Sequence, residues 1–330
     1  MSNRLRLADL SLDKSKLYLF SDKESNLAII DLNTLQLQEK IPFEKEGPNG
    51  VGSNLWEINT LPDEKLLIKT FQEARIFDLQ GQKEADIQLK VEDVEGIDDS
   101  KQLQNNNLRI SQDLKRYYTI PGSVFDFDQV MEFAVIDRNT MEGSLMKLPA
   151  LDITLAFSLI LTSKGMMQAY TEDIFYLDQN GRYFISSSAT SDIYAYDPQV
   201  DSLLLFSFPI QTVPKAKSDP PKQKQVTDRD QWNSEMEKIN AQVKFSPLLW
   251  DETRNYFFRL ASTITGDIPG GKTTNEVFLL AFNSDMKLVG ETIIEGLNHI
   301  PDYPFYKDGK LWSYVNVEDE LGFAVFTLKF

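Results

Sequence analysis

A short pattern recurs six times along this chain: a few alternating apolar residues, an Asp or a substitute for it, and then a turn. Its copies are AIIDLNT (28–34), RIFDLQG (75–81), AVIDRNT (134–140), YAYDPQV (194–200), LAFNSD (280–285) and AVFTLKF (324–330). Each copy follows another short run that alternates like a β-strand. Repeats of about 40–50 residues that hold four short strands are typical of propeller blades. The pattern therefore predicts an all-β chain folded as a β-propeller.

Five of the repeats divide into four short strands each, and the last divides into three. This division predicts six blades. Seven blades are the alternative if residues 157–170 form more than a connection. A propeller is one closed domain even when its chain is long, so residues 1–330 are predicted to form a single domain. At this length about three-quarters of the unfolded surface is buried on folding, which provides a sizeable core.

Loop lengths differ between the two ends of the predicted strands. The turns between the first and second strands and between the third and fourth strands of each repeat are short and rich in Asp, Asn and Gly. These residues supply side-chain-to-backbone bonds and positive φ. The other connections are long: 44–54, 91–107, 122–132, 150–173, 211–242 and 265–275. In a propeller these connections emerge on one face, which we call the loop-rich end. Long loops on a rigid scaffold commonly carry binding residues, so this end is the predicted functional surface.

The longest connection, 211–242, contains an insertion with a structure of its own. Its first part, 214–225, is rich in Pro and Lys and is expected to be extended and exposed. Thr227 then stands at a favourable N-cap position, and a helix is predicted over 228–242. Apolar residues follow at helical spacing: Trp232, Met236, Ile239 and Val243. This apolar face either packs against the propeller or, with Trp232 as a candidate ligand contact, serves as a lid or docking helix.

Composition excludes several classes of function. The chain has 34 basic and 50 acidic residues and a net charge of −16, which repels nucleic-acid phosphates and anionic lipids. It has no Cys and one His, so disulfides, thiolate catalysis, Cys-based zinc sites and multi-His metal sites are excluded. No apolar run approaches the roughly 18 residues that a membrane-spanning helix needs. We expect no metal and no cofactor.

One segment matches the phosphate-binding pattern GxxxxGK[ST], namely GDIPGGKT at residues 266–273. That pattern binds phosphate when a strand leads into the loop and a helix leaves it. Here the next residues, TNEVFLLAF, alternate like a strand. The context therefore favours a hairpin connection, and Lys272 is not predicted to be a ligand-binding residue.

Carboxylates and the single histidine are further candidates. Asp126 and Asp128 lie together in a long connection, and paired carboxylates can bind calcium or cleave glycosides. Their spacing differs from that of a calcium loop. His299 lies in another connection near the loop-rich end, where it is either a ligand contact or a solvated side chain.

Two arginines and one tryptophan lie in predicted inner strands. Arg259 interrupts the apolar run NYFFRLAS, and Arg109 lies in NNLRISQD. An inner-strand Arg can point into the water-filled channel and bind an anion with paired hydrogen bonds, or it can be a partnered structural residue. Trp56 follows the glycine-rich loop and can line the channel as an aromatic platform or pack in the core.

Three segments carry a resemblance to a known family: GPNGVGS (47–53), ATSDIYAYDPQVD (189–201) and WDETRNYFFRL (250–260). With them the chain resembles uncharacterised Bacteroidetes envelope lipoproteins, a domain of unknown function with a predicted six- or seven-bladed propeller. The resemblance implies a periplasmic or cell-surface protein that reaches the membrane only through an amino-terminal lipid anchor. The signal segment and lipidated Cys of such an anchor do not occur in this sequence. The family resemblance implies no catalytic residues.

These observations favour a monomeric, non-enzymatic binding module at the bacterial cell envelope. It would recognise a glycan, a peptide or a protein through the loop-rich end, because that end has long loops but no recognisable catalytic set. The alternative is a carboxylate-based glycosidase or lyase whose site lies in the propeller channel and uses residues such as Asp126 and Asp128.

Overall fold

A computed structural model describes residues 5, 7–123, 125–126, 129–163, 165–268, 272–318 and 320–328. About half of these residues lie in β-strands, nearly all of them paired antiparallel, so the fold is all-β with few helices. The chain divides into two compact units. The first contains residues 1–123 and 132–147, and the second contains residues 124–131 and 148–330.

The first unit holds three four-stranded sheets. The strands are β1 Ala8–Leu10, β2 Lys16–Ser21, β3 Asn26–Asp31, β4 Gln36–Pro42, β5 Glu57–Leu61, β6 Lys65–Lys69, β7 Ala74–Asp78, β8 Lys83–Ile87, β9 Arg109–Ile110, β10 Arg116–Thr119, β11 Glu132–Asp137 and β12 Gly143–Lys147. In each sheet the strands neighbour one another in chain order: β1–β4, β5–β8 and β9–β12. Short 3-10 helices at Val91–Asp93 and Asn105–Asn107 precede the third sheet.

The second unit holds four sheets and the helices α1 Ile153–Ala156 and α2 Arg229–Asn240. A 3-10 helix, Pro149–Leu151, precedes α1. The strands are β13 Leu159–Ser163, β14 Met166–Tyr170, β15 Ile174–Gln179, β16 Arg182–Ser187, β17 Thr190–Asp197, β18 Ser202–Phe206, β19 Gln225–Val226, β20 Lys244–Asp251, β21 Tyr256–Ile268, β22 Lys272–Asn283, β23 Leu288–Ile293, β24 Asp302–Lys307, β25 Lys310–Val317 and β26 Glu320–Phe326. The sheets have the orders β15–β18, β20–β23, β24–β25–β26 and β14–β13–β19.

The repeated acidic residue closes the hairpin between the last two strands of a repeat. The Asp31 carboxylate accepts bonds from the backbone N–H groups of Asn33 and Thr34, at 2.7 and 3.0 Å. The Asp137 carboxylate makes the same pair of bonds two and three residues on. These bonds lower the pKa of both carboxyls. Because such turns need only local contacts, the repeats were visible in the sequence.

Alternation along the strands places apolar side chains on both faces of a sheet. In the second sheet, Leu66 and Ile68 belong to an apolar cluster with Leu27 and Tyr18 of the first sheet. Leu67, between them, belongs to a cluster with Ile110 and Ala134 of the third sheet. Inside the first unit the middle sheet is therefore buried on both sides.

One sheet differs from the sequence-based division into six repeats. Residues 157–170, treated there as a connection, contain β13 and β14, which pair antiparallel. Gln225 and Val226, from the insertion, then pair parallel with Ile160 and Leu161. The described residues thus form seven sheets, and the seventh joins strands that lie far apart in the sequence.

The insertion contains α2 and packs against this seventh sheet. The helix begins after Asp228, whose carboxylate accepts bonds from the N–H groups of Asp230 and Gln231. The N-cap is therefore Asp228, one residue after the predicted Thr227. Trp232 is buried with Leu159, Leu161 and Val226 of the sheet. The apolar face of α2 thus packs on the protein, as the first of the two interpretations predicted.

A buried ion pair attaches the insertion to the preceding connection. The Lys217 Nζ lies 2.6 Å from Glu172 Oε1, and both residues are buried. Lys217 also donates to the carbonyl oxygen of Ile239 in the last turn of α2, while the hydroxyl groups of Tyr170 and Ser188 donate to Glu172. Burial lowers the pKa of Lys217, against the opposing influence of Glu172. Removal of either charge would leave the other uncompensated inside the protein.

We expect Lys217→Met to lower the free energy of unfolding by about 3–5 kcal/mol, because Glu172 then stays buried without a cation. The double variant Lys217→Met/Glu172→Gln should lose less of the free energy of unfolding, because the buried Glu172 charge is removed as well. Urea unfolding measures both. Lys238→Met is the matched control, because its partner Glu235 lies in an exposed pair worth less than about 1 kcal/mol. Equal losses for Lys217→Met and Lys238→Met would contradict this account.

Candidate functional site

Arg259 on β21 is completely buried in the second unit. Its Nε donates to the carbonyl oxygen of Ser246 at 2.9 Å, Nη1 to that of Ser191 at 3.0 Å and Nη2 to that of Ser187 at 2.6 Å. Its guanidinium also lies over the ring of Phe245. Burial lowers the pKa of this group to about 9.

This geometry gives Arg259 a structural role. Its three bonds join β16, β17 and β20 through main-chain oxygen atoms, and no part of the side chain reaches solvent. An anion could bind only if these carbonyls lost their donor. The sequence-based interpretation of Arg259 as a channel-facing anion ligand is therefore replaced by that of a partnered structural residue.

Arg109 belongs to a polar cluster in the first unit, which we call the inner-strand cluster: Asp9, Glu57, Asn59, Lys69 and Arg109. The Glu57 carboxylate is at its centre, with Arg109 Nη2 at 2.7 Å from Oε1 and Lys69 Nζ at 2.8 Å from Oε2. Lys69 is fully buried and also donates to the carbonyl oxygen of Leu108 at 2.9 Å. The two cations hold one carboxylate in a fixed orientation.

Within the inner-strand cluster, Asp9 is a carboxyl group with a raised pKa. Its carboxylate accepts bonds from the N–H groups of Leu10, at 2.9 Å, and of Thr60, at 2.6 Å. These bonds favour the ionised form, as does Arg109. Burial outweighs them and, with the charge of Glu57, raises the pKa of Asp9 to about 6. Asp9 therefore changes charge close to neutral pH.

Trp56, directly before Glu57, is 38 % exposed and does not belong to the core. Its ring centroid lies 4.5 Å from that of Phe71, with an angle of 52° between the ring planes. Phe71 lies in the connection after β6 and is 59 % exposed. The backbone N–H of Trp56 donates to the carbonyl oxygen of Lys69 at 2.7 Å, which continues the ladder between β5 and β6. A partly exposed aromatic pair thus lies at the loop-rich end of the second sheet.

The other candidates do not join this arrangement. Trp232 is buried in the core beneath α2, so its assignment as a ligand contact is replaced by packing. His299 is exposed, with Nδ1 at 2.7 Å from Asn298 Oδ1. Asp126 is exposed, whereas Asp128 lies outside the described residues.

The segment that matches the phosphate-binding pattern lies between two paired strands. β21 ends at Ile268, and β22 begins at Lys272, which is the register partner of Ile268. A strand and not a helix therefore follows the glycines, of which Gly270 and Gly271 lie outside the described residues. The amide groups of a helix N-terminus, which phosphate binding requires, are not present after Lys272.

The described part of the chain contains neither a metal-binding cluster nor a membrane-spanning helix. No group of three or more His, Cys, Asp or Glu side chains there could hold a metal ion. None of the helices described is long and apolar enough to cross a membrane.

Sequence reasoning identified Arg109 and Trp56 but missed their neighbours. Lys69 gave the clearest signal, because this charged residue ends the otherwise apolar run LLI of its strand. Asp9 and Phe71 gave none, since an Asp near a turn and a Phe in a loop are common. Their roles depend on contacts with residues of other strands.

A comparison with protein-family models gave a match over residues 1–293 to DUF4221, described as a domain of unknown function. Comparison with curated protein sequences gave no match. Among solved structures, a member of the DUF4221 family from Bacteroides vulgatus is similar to this chain, with a TM-score of 0.65 and 14% identity, covering 98% of this chain and 93% of that one.

Two other similar structures come from fungi. Hsv2 of Kluyveromyces marxianus has a TM-score of 0.48 and 12% identity, covering 99% of this chain and 73% of that one. The β-propeller domain of Cps50 (Swd1) from Myceliophthora thermophila has a TM-score of 0.43 and 10% identity, covering 100% and 98%.

The raised pKa of Asp9 predicts a pH dependence of stability. Between its ordinary value of 3.8 and its folded value of about 6, the folded protein holds a proton that the unfolded chain releases. Wild-type protein should therefore gain stability relative to Asp9→Asn as the pH falls from 7.5 to 4.5. Urea midpoints of both proteins across this range measure the gain.

Asp13→Asn is the control for this experiment. Bonds from Ser11 and Ser15 lower the pKa of Asp13 to about 2, so its contribution is lost only below about pH 4. The difference between wild type and Asp13→Asn should be constant from pH 7.5 to 4.5. A constant difference for Asp9→Asn as well would show that Asp9 titrates normally.

Proposed function

Since the chain belongs to the DUF4221 family, whose description names no activity, we propose from its own geometry that it is a non-enzymatic binding module. Its ligand binds at the loop-rich end of the second sheet, on Trp56 and Phe71. The ligand class is a glycan, a peptide or a protein. We propose further that residues 1–330 form one propeller-like domain, that the seventh sheet is a blade, and that the protein acts as a monomer.

The exposed aromatic pair is the observation that supports this proposal. Exposed apolar side chains that touch one another form a contiguous patch, and such patches commonly mark interaction sites. Trp is also among the residues that dominate binding energy. The Trp56 main chain is held by a backbone bond to Lys69, so little order has to be imposed when a ligand arrives.

The compartment is proposed from the family resemblance and the charge. A net charge of −16 disfavours binding to nucleic acid and to anionic lipid. A periplasmic or cell-surface location, with an amino-terminal lipid anchor, fits a module that captures ligands at the envelope of a Bacteroidetes cell. No metal or cofactor is part of this function.

We expect Trp56→Ala to abolish or strongly weaken ligand binding, because it removes the larger half of the exposed pair. A panel of oligosaccharides, peptides and envelope extracts can be screened by thermal shift against wild type. For any ligand that raises Tm, the affinity of Trp56→Ala should fall by about 30-fold or more. Leu37→Ala, an exposed apolar residue of the same unit, should bind normally. Ligands that bind Trp56→Ala as tightly as wild type would overturn this site.

A carboxylate-based glycosidase or lyase is the second candidate, and one observation favours it. Asp9 takes up a proton near pH 6, whereas Glu57 is held between Lys69 and Arg109. Carboxyl groups whose environments differ in this way can divide the roles of general acid and general base. Asp9 and Glu57 thus join Asp126 and Asp128 as the residues proposed for this candidate.

The binding module and the glycosidase or lyase are distinguished by whether the protein cleaves a polysaccharide. We expect no release of reducing ends from a panel of polysaccharides at pH 5–7, because the Asp9 and Glu57 carboxylates are engaged with groups of the protein. Turnover that disappears in Asp9→Asn, with folding intact by circular dichroism, would establish the enzyme instead. Asp13→Asn serves as its control, since Asp13 bonds only to its own turn.

A further inference from the structure

The sequence contains the dipeptide Asn–Gly twice, at Asn49–Gly50 and at Asn180–Gly181. In this dipeptide the glycine nitrogen can attack the side-chain amide carbon of the asparagine, and the glycine has no Cβ to hinder the approach. Both pairs carry the same reactive groups. Their surroundings in the folded protein therefore decide which of them reacts.

Asn180 and Gly181 form the two-residue loop between β15 and β16, whose last pair is Gln179 with Arg182. Both loop residues have positive φ, at 55° and 72°, as a type I′ hairpin turn requires, and both are exposed. A Cβ placed on Gly181 would meet nothing within 4 Å. In the described part of the chain the Gly181 N–H donates to no backbone carbonyl. Rotation of the Asn180 backbone can thus bring this nitrogen to the side chain without disturbing a packed neighbour.

The side chain of Gln179 makes the Asn180 amide more reactive. Its Nε2 donates to Asn180 Oδ1 at 3.1 Å. Attack on the amide carbon moves negative charge onto Oδ1, and a hydrogen-bond donor at that position stabilises the charge. Three consecutive residues therefore supply the attacking nitrogen, the amide that it attacks and a donor for the developing charge.

The other dipeptide is held in place by hydrogen bonds. The Gly50 N–H donates to the carbonyl oxygen of Gly47 at 3.0 Å, and Gly50 is buried. Asn49 Nδ2 donates to Gln82 Oε1 at 3.2 Å, while Asn49 Oδ1 accepts from the Lys83 N–H at 3.4 Å. Attack within this pair requires that these bonds break first.

From this contrast we propose that Asn180 is a site of spontaneous deamidation and isoaspartate formation. The Gly181 nitrogen forms a bond to the side-chain amide carbon, the bond from that carbon to Nδ2 breaks, and ammonia leaves with the proton that the backbone nitrogen loses. Water then opens the resulting cyclic imide at either carbonyl, which gives aspartate or isoaspartate. Both products add a negative charge. Isoaspartate also adds a carbon to the main chain, which changes the geometry of the two-residue loop.

The experiment follows both dipeptides in the full chain during incubation at neutral and at mildly alkaline pH. Mass spectrometry of proteolytic peptides measures conversion of amide to carboxyl at each asparagine, and labelling by an isoaspartyl methyltransferase measures isoaspartate. In the folded protein Asn180 should react faster than Asn49 by about tenfold or more, because the bonds of Asn49 and Gly50 must break first. The reaction should be faster at the higher pH, since the nitrogen attacks after it loses its proton. Gln179→Leu should slow the reaction at Asn180 and leave that at Asn49 unchanged.

The same protein unfolded in urea is the matched control, and there the two asparagines should react at similar rates. Equal rates in the folded protein, or a faster reaction at Asn49, would overturn the proposal. It would also be overturned if the folded protein did not react at Asn180 within the time that the unfolded chain needs. A preference for Asn180 that is equally large in urea would show that the neighbouring sequence decides and not the folded turn, and the proposal would again be wrong. An unchanged Tm of Gln179→Leu shows that its slower reaction does not come from altered folding.

Discussion

A guanidinium group can be buried only if its N–H groups find acceptors, and Arg259 satisfies this condition with main-chain oxygen atoms. Its bonds fix the end of β16, the start of β17 and a point on β20. The residues between β16 and β17 depend on the same arrangement, because Ser188 bonds Glu172 and the Ala189 carbonyl accepts from the Lys217 N–H. Arg259 and the Glu172–Lys217 pair thus support one buried polar region, to which the insertion is attached.

The parts of the fold that local chemistry decides could be predicted. Hairpins closed by Asp31 and Asp137 need only contacts within a few residues, and the amphipathic spacing of α2 is local as well. The seventh sheet was predicted only as an alternative, over residues 157–170. Its third strand could not be predicted, because Gln225 and Val226 pair with Ile160 and Leu161 across a long stretch of chain. A two-residue strand has no periodicity of its own to recognise.

The sequence predicted only part of the candidate site, because it shows residue types but not their contacts with other strands. Trp56 and Arg109 were noticed as residue types at unusual positions, and the structure pairs Trp56 with Phe71 and Arg109 with Glu57. Arg259 gave the same signal, yet its donors face carbonyl oxygens inside the protein. A charged residue in an apolar strand therefore indicates a buried polar contact, while its partners decide between structure and binding. Asp9 is the opposite case. Its position in the sequence is ordinary, and its raised pKa depends on burial against β5, where Thr60 donates to its carboxylate.

The parallel pairing of β13 with β19 has a consequence for how the chain acquires its structure. β13 and β14 leave the ribosome as a hairpin, but β19 follows only after β15 to β18. Until then the edge of β13 that β19 will occupy stays open, and open edges pair readily with other chains. Pairing across long sequence separations is also slow. The second unit should therefore be most vulnerable to misassociation while residues 171–224 are being synthesised, and lengthening the insertion before β19 would prolong that interval.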